Sequence, residues 1–161
     1  MAAALEEFSL RGFEAARLDD VAKRAGVAKG TIYLYFADKE TLFQELARSM
    51  LTPLIGSIET LAAVDLPFPV LAERLVAVVA DELVGSRRKD IIRLIISEGT
   101  RFPAIADFYY REVLSRVFSA LRQILQRALD RGELRHPAPA PSSAIRRAST
   151  APMRVSNGSS K

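Results

Sequence analysis

Residues 17–43, RLDDVAKRAGVAKGTIYLYFADKETLF, contain three helical patterns separated by short turns. Within this stretch, a helix is predicted over residues 18–25. It carries two aspartates in its first turn and ends at Gly26, a residue suited to a helix C-cap. A second short helix is predicted over residues 29–36, after a three-residue turn. Asp38 then has the position and the side chain of an N-cap for the next helix. The stretch therefore predicts a helix-turn-helix unit.

The predicted helix over residues 29–36 has two chemically different faces. Ile32 and Phe36 lie about one turn apart and share a face. That face is expected to pack on Val21, Ala22 and Val27. The opposite surface is polar and aromatic and consists of Gly30, Thr31, Tyr33, Leu34 and Tyr35. A surface with hydroxyl groups around a solitary leucine suits the major groove of DNA, where both kinds of group find partners.

Individual side chains of this surface are candidate DNA contacts. The hydroxyls of Thr31 and the tyrosines can donate to phosphates, and Leu34 or a tyrosine ring can contact thymine methyl groups. Lys29, in the first turn, can reach guanine or the DNA backbone. Gly30 allows the protein main chain to approach DNA closely.

Two cations outside this surface are candidate phosphate contacts. Arg17 precedes the helix over residues 18–25, and Lys39 begins the helix after Asp38, where its ammonium and the free N–H groups of the first turn face the same way. The alternative is that Tyr33 and Tyr35 are half-buried surface aromatics and that the lysines are solvated charges.

Helical periodicity continues before and after this unit, and no strand pattern competes with it. A first helix is predicted over residues 4–13 and stops at Gly12, a natural C-cap residue. The helix that begins after Asp38 extends through Met50. It is expected to kink or end at Pro53, and a helical pattern then resumes over residues 54–63.

Three further helices are predicted downstream. The first follows a loop at residues 65–69 and continues to residue 83. The second, over residues 88–98, is so apolar that it is expected to be enclosed on several sides. The third is a single long helix over residues 104–131 that ends at Gly132.

The sequence thus predicts an all-α fold, in which a three-helix N-terminal head with the helix-turn-helix is joined by a long connector helix to a helical body. The predicted domains are residues 1–46, 47–136 and 137–161. The last segment is rich in Pro, Ala and Ser and lacks periodicity, so we expect a disordered tail.

Composition excludes several classes of function. The 161 residues include no Cys and one His, so disulfides, a thiolate nucleophile and a multi-histidine metal site are excluded, and no cofactor is predicted. The net charge of +4 resides in residues 137–161, and the rest of the chain carries equal numbers of basic and acidic groups. No run approaches the length of a membrane span and no signal peptide is apparent, so a cytoplasmic protein without membrane contact is expected.

Residues 17–43, with Gly12, resemble the N-terminal DNA-binding region of the TetR/AcrR family of one-component transcriptional regulators. The resemblance is carried by an ordered set without gaps: Gly12, Asp20-Val21-Ala22, Ala25-Gly26-Val27, Lys29-Gly30-Thr31-Ile32-Tyr33, Phe36, Lys39-Glu40 and Leu42-Phe43. Ala28 departs from the pattern, since the family often has a serine there that caps the recognition helix. The resemblance implies a sequence-specific, ligand-responsive repressor that binds double-stranded DNA at a palindromic operator as a homodimer.

The resemblance also implies a small apolar or amphipathic effector that binds in the helical body. The candidate pocket residues are Phe68, Leu71, Ile95, Glu98, Phe102, Phe108 and Tyr109. The alternative is that these residues belong to the core. Effector binding would shift the body, pull on the connector helix and change the spacing of two recognition helices.

The family typically continues with two more long helices that form the dimer interface, whereas a Pro/Ala/Ser segment begins here at Pro137. We therefore expect a truncated or frame-shifted relative, in which loss of the dimer would weaken DNA binding. The alternative function is a truncated fragment that does not bind DNA and associates with paralogues as a helical interaction module. An enzyme is not predicted, because the sequence has no phosphate-binding glycine loop and no nucleophile paired with a base.

Overall fold

The structure is a computed structural model that describes residues 1–84 and 86–134. Over these ranges the all-α prediction is confirmed, and the predicted tail at residues 137–161 lies outside them. The helices are α1 (Ala2–Ala15), α2 (Leu18–Ala25), α3 (Lys29–Tyr35), α4 (Lys39–Ala63), α5 (Phe68–Val84), α6 (Arg88–Gly99), α7 (Pro103–Tyr109) and α8 (Ser115–Asp130), with a π-helical turn at Tyr110–Leu114 between the last two. No helix of the described part is both long and apolar enough to cross a membrane.

Buried side chains form two hydrophobic clusters. The larger cluster joins α1, α2, α3 and α4 as far as Ile55 to α6, α7 and the π-helical turn. The smaller cluster joins the second half of α4 to α5 and α8 and contains Ile58, Ala62, Leu71, Ala120 and Ile124. Val117 packs against both clusters. The N-terminal head therefore contacts the body directly as well as through α4, and a domain boundary at residue 46 stays a prediction.

Four phenylalanine rings occupy the junction between head and body. Phe13 of α1 packs edge-on against Phe43 of α4, with 5.4 Å between ring centroids, and against Phe102 in the α6–α7 loop, at 4.9 Å. Phe8 completes the group at 5.3 Å from Phe43 and 5.9 Å from Phe13. Such aromatic pairs contribute about 0.5–1.5 kcal/mol each beyond the burial of their area. These contacts fix α1 against both α4 and the body.

Gly12 interrupts α1 with a positive φ of 72° and a ψ of 173°. The sequence predicts that the helix stops here, and the chain instead resumes a short helical turn to Ala15. A Cβ at Gly12 would lie 2.9 Å from Oε1 of Glu98 in α6. The positive φ therefore favours glycine, and a Cβ at this position would also force the Glu98 carboxylate to move.

The helix α4 continues through Pro53, so it does not end at this residue, and the alternative of a kink there stays a prediction. Proline inside a helix costs about 3 kcal/mol, because it removes a hydrogen bond and crowds the preceding turn. Leu51 and Ile55 on either side of it are buried, and each contributes about 1.5–3 kcal/mol by leaving water. Burial of these neighbours offsets the cost of the proline and keeps α4 continuous from head to body.

The helix predicted over residues 104–131 is confirmed in extent, because the chain is helical without a break from Pro103 to Asp130, but it contains a π-helical turn that the sequence did not predict. Buried residues before and after the turn follow α-helical spacing, whereas Phe108 and Val113 are five residues apart. A π-helical turn accommodates that spacing, since its hydrogen bonds join residues i and i+5. The wider turn thus lets α7 and α8 both direct their apolar sides to the core.

The helix α6 is buried on one side only, so the prediction that it is enclosed on several sides is wrong. Its buried side consists of Ile91, Leu94 and Ile95. Ile96 is 67% exposed, because the described part of the chain places no element over it. Ion pairs join the two ends of this segment to α1: Arg87 to Glu6 at 3.5 Å, and Arg101 to Glu14.

Phe43→Ala is expected to lower the free energy of unfolding by about 3–5 kcal/mol, because the ring is fully buried and the substitution leaves a cavity between α1 and α4. Urea denaturation followed by far-UV circular dichroism measures this loss. The control Val76→Ala alters a side chain that is 69% exposed and should change the free energy by less than about 0.5 kcal/mol. Equal effects of the two substitutions would contradict the assigned core.

Candidate nucleic-acid interface

The turn between α2 and α3 is set by backbone hydrogen bonds. Gly26 ends α2 in the left-handed conformation, with φ 69°, and its N–H donates to the carbonyls of Ala22 and Lys23. Ala28 precedes α3 and provides no side-chain cap, because its methyl group cannot accept a hydrogen bond. The Thr31 N–H donates to the Ala28 carbonyl at 3.0 Å. The helix α3 is therefore held by its packing rather than by a capping side chain.

One buried residue, Ile32, anchors α3, and Phe36 packs against the same cluster. The predicted packed face is thus confirmed for these two residues. Val27 was expected to belong to it, but Val27 lies in the turn before α3 and is 42% exposed. Its share in the packing is smaller than the sequence predicts.

The opposite side of α3 is exposed to solvent. The exposed fractions are 46% for Tyr33, 83% for Leu34 and 76% for Tyr35. Gly30 and Thr31 are exposed on the same helix, and the space around Gly30 is open. The structure therefore brings together on one exposed surface of α3 the residues that the sequence analysis named as candidate DNA contacts.

Asp19, in the first turn of α2, contacts two of these candidates, which the sequence did not predict. The Lys29 ammonium donates to its Oδ2 at 2.8 Å, and the Tyr33 hydroxyl donates to its Oδ1 at 3.2 Å. The hydrogen bond from Lys29, with a further one from Tyr33, lowers the pKa of the Asp19 carboxyl. The same contact with Asp19 raises the pKa of the Lys29 ammonium. The carboxylate thus bridges α2 and α3 in its charged form.

Lys39 and Asp38 lie where α4 meets the end of α1. Asp38 accepts a hydrogen bond from the Thr41 N–H at 2.7 Å, which confirms it as the N-cap of α4. The Lys39 ammonium donates to the Glu14 carbonyl at 2.5 Å and lies 5.0 Å from the centroid of the Phe13 ring. Lys39 is therefore fixed against the C-terminal end of α1, and its contact with phosphate stays a prediction.

Arg17 is exposed and immediately precedes α2. Its carbonyl accepts hydrogen bonds from the N–H groups of Asp20 and Val21, both at 3.1 Å, so its backbone belongs to the first turn. The exposed side chain is next to Asp19 in sequence, and its charge further favours the ionised form of that carboxyl. Arg17 remains a candidate phosphate contact.

A buried carboxylate, Glu7, fixes α2 against α1. Glu7 is 1% exposed and accepts hydrogen bonds from Arg24 of α2 at 3.0 and 3.3 Å. Arg11 Nε lies 2.9 Å from its other oxygen, as an ion pair without a directed hydrogen bond. Glu6 pairs with Arg24 at 3.7 Å. Only the four-residue spacing of Glu7 and Arg11 was visible in the sequence, so the role of Arg24 was not predictable.

The candidate effector residues do not converge on one cavity of the described part. Phe68 and Leu71 belong to the smaller cluster, whereas Ile95, Phe102, Phe108 and Tyr109 belong to or pack against the larger cluster. Glu98 is directed at Gly12, and its Oε2 is buried without a hydrogen-bond partner. Burial raises the pKa of the Tyr109 hydroxyl. Their placement agrees with the alternative that they form the core, and the pocket stays a prediction.

A cavity of about 300 Å³ lies between α4 and α8. It is lined by Glu59, Ala62, Arg116, Ser119, Ala120 and Gln123. Arg116 donates to both carboxylate oxygens of Glu59, at 2.8 and 2.7 Å, and this contact lowers the pKa of Glu59. The cavity is at the low end of the size range of ligand pockets. In residues 1–84 and 86–134 no group of three His, Asp or Glu side chains is placed to hold a metal ion.

A helix-turn-helix with an exposed polar and aromatic second helix, packed on a helical body, defines the class of helix-turn-helix regulators. The family model of bacterial regulatory proteins of the tetR family matches residues 1–46. The tetracyclin repressor-like C-terminal domain model matches residues 72–156, more than half of the chain. The chain belongs to the TetR family of bacterial regulatory proteins.

Individual relatives agree with this assignment. The chain is 37% identical over 97 residues to the uncharacterized HTH-type transcriptional regulator YvdT of Bacillus subtilis, which covers 59% of this chain and 48% of YvdT. The structure of a TetR-family regulator from Mesorhizobium loti is 29% identical and has a TM-score of 0.62. The match covers 81% of this chain and 66% of the Mesorhizobium chain. The structure of Thermus thermophilus FadR, a repressor in complex with lauroyl-CoA, is 26% identical and has a TM-score of 0.53. The match covers 84% of this chain and 68% of the FadR chain.

The chain spans about half the length of YvdT. The C-terminal family model extends to residue 156, past the composition change at Pro137. These comparisons do not show truncation, so the truncated or frame-shifted relative stays a prediction.

Asp38→Ala is expected to lower the free energy of unfolding by about 1 kcal/mol, because the N–H of Thr41 loses its acceptor at the start of α4. The control Asp38→Asn keeps a capping oxygen and should lose much less. The hydrogen bond from Thr41 lowers the pKa of Asp38 from 3.8, so the contribution of the charge is complete above that pH and is lost as the pH falls through the lowered value. Urea denaturation at neutral pH compares the variants, and equal stability of all three proteins would contradict the cap.

Proposed function

We propose that the protein is a sequence-specific DNA-binding transcriptional repressor that inserts α3 into the major groove. The observation that carries the proposal is the exposed surface of α3, where Tyr33, Leu34 and Tyr35 face solvent although Ile32 on the same helix is buried. A contiguous group of exposed large apolar and aromatic side chains marks an interaction surface. Membership of the TetR family supports DNA as that partner.

Each exposed residue of this surface has a role in the proposal. Leu34 and the tyrosine rings contact thymine methyl groups, and Thr31 donates to a phosphate. Lys29 reaches a guanine or a phosphate from the first turn, and Gly30 lets the main chain approach. Arg17 and Lys39 contact phosphates on either side of the groove and set the register of α3.

Affinity in this proposal comes from placed contacts and from the pairing of two copies. Residues 1–46 contain six basic and eight acidic groups, so the head has no broad positive field. Two heads that bind successive major grooves as a homodimer add their contacts, and the operator is then palindromic. The proposal locates the protein in the cytoplasm, with the DNA that it binds.

We further propose that an amphipathic effector releases the DNA. Thermus thermophilus FadR, a repressor of similar fold, binds lauroyl-CoA, so an acyl-CoA is the first effector to test here. In this structure the body contacts the head through Phe102 and Phe13 and through the continuous helix α4. An effector that binds more tightly when these contacts are shifted would favour the shifted conformation of the body. The affinity for DNA would then fall by at most the ratio of the effector's affinities for the shifted and unshifted conformations.

Selection of random duplex DNA by this chain is expected to enrich a palindromic sequence. Lys29→Ala and Tyr33→Ala should each weaken binding to that sequence by about 5-fold or more, because a good base contact contributes about 1–3 kcal/mol. Fluorescence anisotropy of labelled DNA measures the affinities. Lys89→Ala removes the same charge from an exposed residue of α6 and should leave binding unchanged.

The outcomes of this selection separate the parts of the proposal. Enrichment of an isolated half-site would contradict the homodimer, and no enrichment at all would contradict DNA reading. Equal losses in Lys89→Ala and Lys29→Ala would show that net charge, rather than the surface of α3, determines binding.

Lauroyl-CoA is expected to lower the affinity of the protein for the enriched DNA. An effector that binds only the DNA-free state, present at 100 times its Kd, lowers the affinity about 100-fold by linkage. Titration calorimetry first establishes binding of lauroyl-CoA, and anisotropy then measures DNA affinity at saturation. Coenzyme A without the acyl chain is the control. Saturated protein with unchanged DNA affinity would contradict release by this effector.

A further inference from the structure

Asp19 places a carboxylate inside the proposed DNA-reading surface. Its two oxygens accept from the Lys29 ammonium at 2.8 Å and from the Tyr33 hydroxyl at 3.2 Å. The same ammonium lies 5.6 Å from the centroid of the Tyr33 ring. Three side chains from two helices thus form one closed group on the exposed side of the head.

This group is open to solvent, so it is not explained as part of the core. The exposed fractions of the side chains are 32% for Asp19 and 65% for Lys29. Exposed ion pairs contribute little to stability. The group therefore contributes little to how tightly the head folds.

The carboxylate offers Lys29 and Tyr33 the same chemistry as a phosphate. Both groups present anionic oxygens to an ammonium and a hydroxyl, so Asp19 and a DNA phosphate compete for the same donors. The hydrogen bond from Lys29 lowers the pKa of Asp19, which keeps the competitor charged at neutral pH. Any duplex that offers only phosphates must displace Asp19 and also approach its negative charge.

We propose that Asp19 is a specificity-determining residue: its carboxylate occupies Lys29 and Tyr33 in free protein and so weakens binding to DNA that lacks the correct bases. On the correct sequence, base contacts of α3 supply the additional free energy that redirects the two donors. Specificity then arises partly from a built-in cost against the wrong partner. The inference rests on the proposed function, since it assumes that Lys29 and Tyr33 contact DNA.

Asp20 provides the matched comparison. It is adjacent to Asp19 in the first turn of α2 and has the same charge, and it lines a different surface cavity together with Glu7, Arg11, Lys23 and Arg24. Asp19→Asn and Asp20→Asn change the net charge of the head equally. Only Asp19→Asn removes the anion bonded to Lys29 and Tyr33.

The experiment measures affinity for the selected DNA and for a scrambled duplex between 50 and 200 mM NaCl, with the full chain and with Asp19→Asn, Asp20→Asn, Lys29→Met and the double variant Asp19→Asn/Lys29→Met. Asp19→Asn is expected to strengthen binding to scrambled DNA more than binding to selected DNA. Its binding to scrambled DNA should weaken about 3-fold more than that of the original chain over this salt range, because one additional free cation displaces counterions. In the Lys29→Met background the effect of Asp19→Asn should largely disappear.

The controls separate failure of the inference from failure of the proposed function. If Asp19→Asn and Asp20→Asn behave alike, or if the effect persists without Lys29, the inference is overturned while DNA reading by α3 stands. If Lys29→Met and the original chain bind both duplexes equally well, the proposed function of Lys29 fails and the inference fails with it. Far-UV circular dichroism of each variant verifies the fold.

Discussion

The packing of Phe13 is the contact on which the arrangement of the head depends. Phe8 and Phe13 are five residues apart, and in an uninterrupted helix their side chains would diverge by about 140°. The positive φ of Gly12 breaks the helix between them, so both rings reach Phe43 in the core. The break at Gly12 thus lets two aromatic side chains of α1 pack against α4. The position of Phe102 against Phe13 then extends the same core into the body.

Charged residues complete what the aromatic contacts begin. Glu7 is buried beneath Arg24, so α2 is tied to α1 by a charge that has little access to water. Removal of one partner from such a pair costs far more than the pair contributes, because the remaining charge stays buried. Glu6, the residue before Glu7, pairs with both Arg24 and Arg87. Through Glu6 and Glu7 of α1, the ion pairs therefore connect α2 of the helix-turn-helix to the start of α6.

The sequence predicted local elements better than contacts between them. The exposed surface of α3 was predictable from the spacing of Ile32 and Phe36. Once these two side chains define the packed face of a short helix, the directions of its other side chains follow. The π-helical turn was missed because an apolar pattern constrains only which residues are buried, and a five-residue step such as Phe108 to Val113 is lost among the neighbouring apolar residues. Asp19 was missed for a different reason. Its contact with Lys29 crosses a turn whose angle depends on tertiary packing, and no periodicity records that angle.

The same contacts connect the body to Lys39, which the proposed function assigns to a phosphate. Lys39 is positioned by the carbonyl of Glu14 and by the ring of Phe13. Phe13 touches Phe102, and Glu14 pairs with Arg101, so both neighbours of Lys39 are held from the α6–α7 loop. Close-packed rings transmit displacement, so a shift of that loop would reach Lys39 chiefly through the packing of Phe102 on Phe13. The long helix α4 is therefore not the only path of contacts between body and head, because a second path passes through Phe13 and Glu14 at the end of α1.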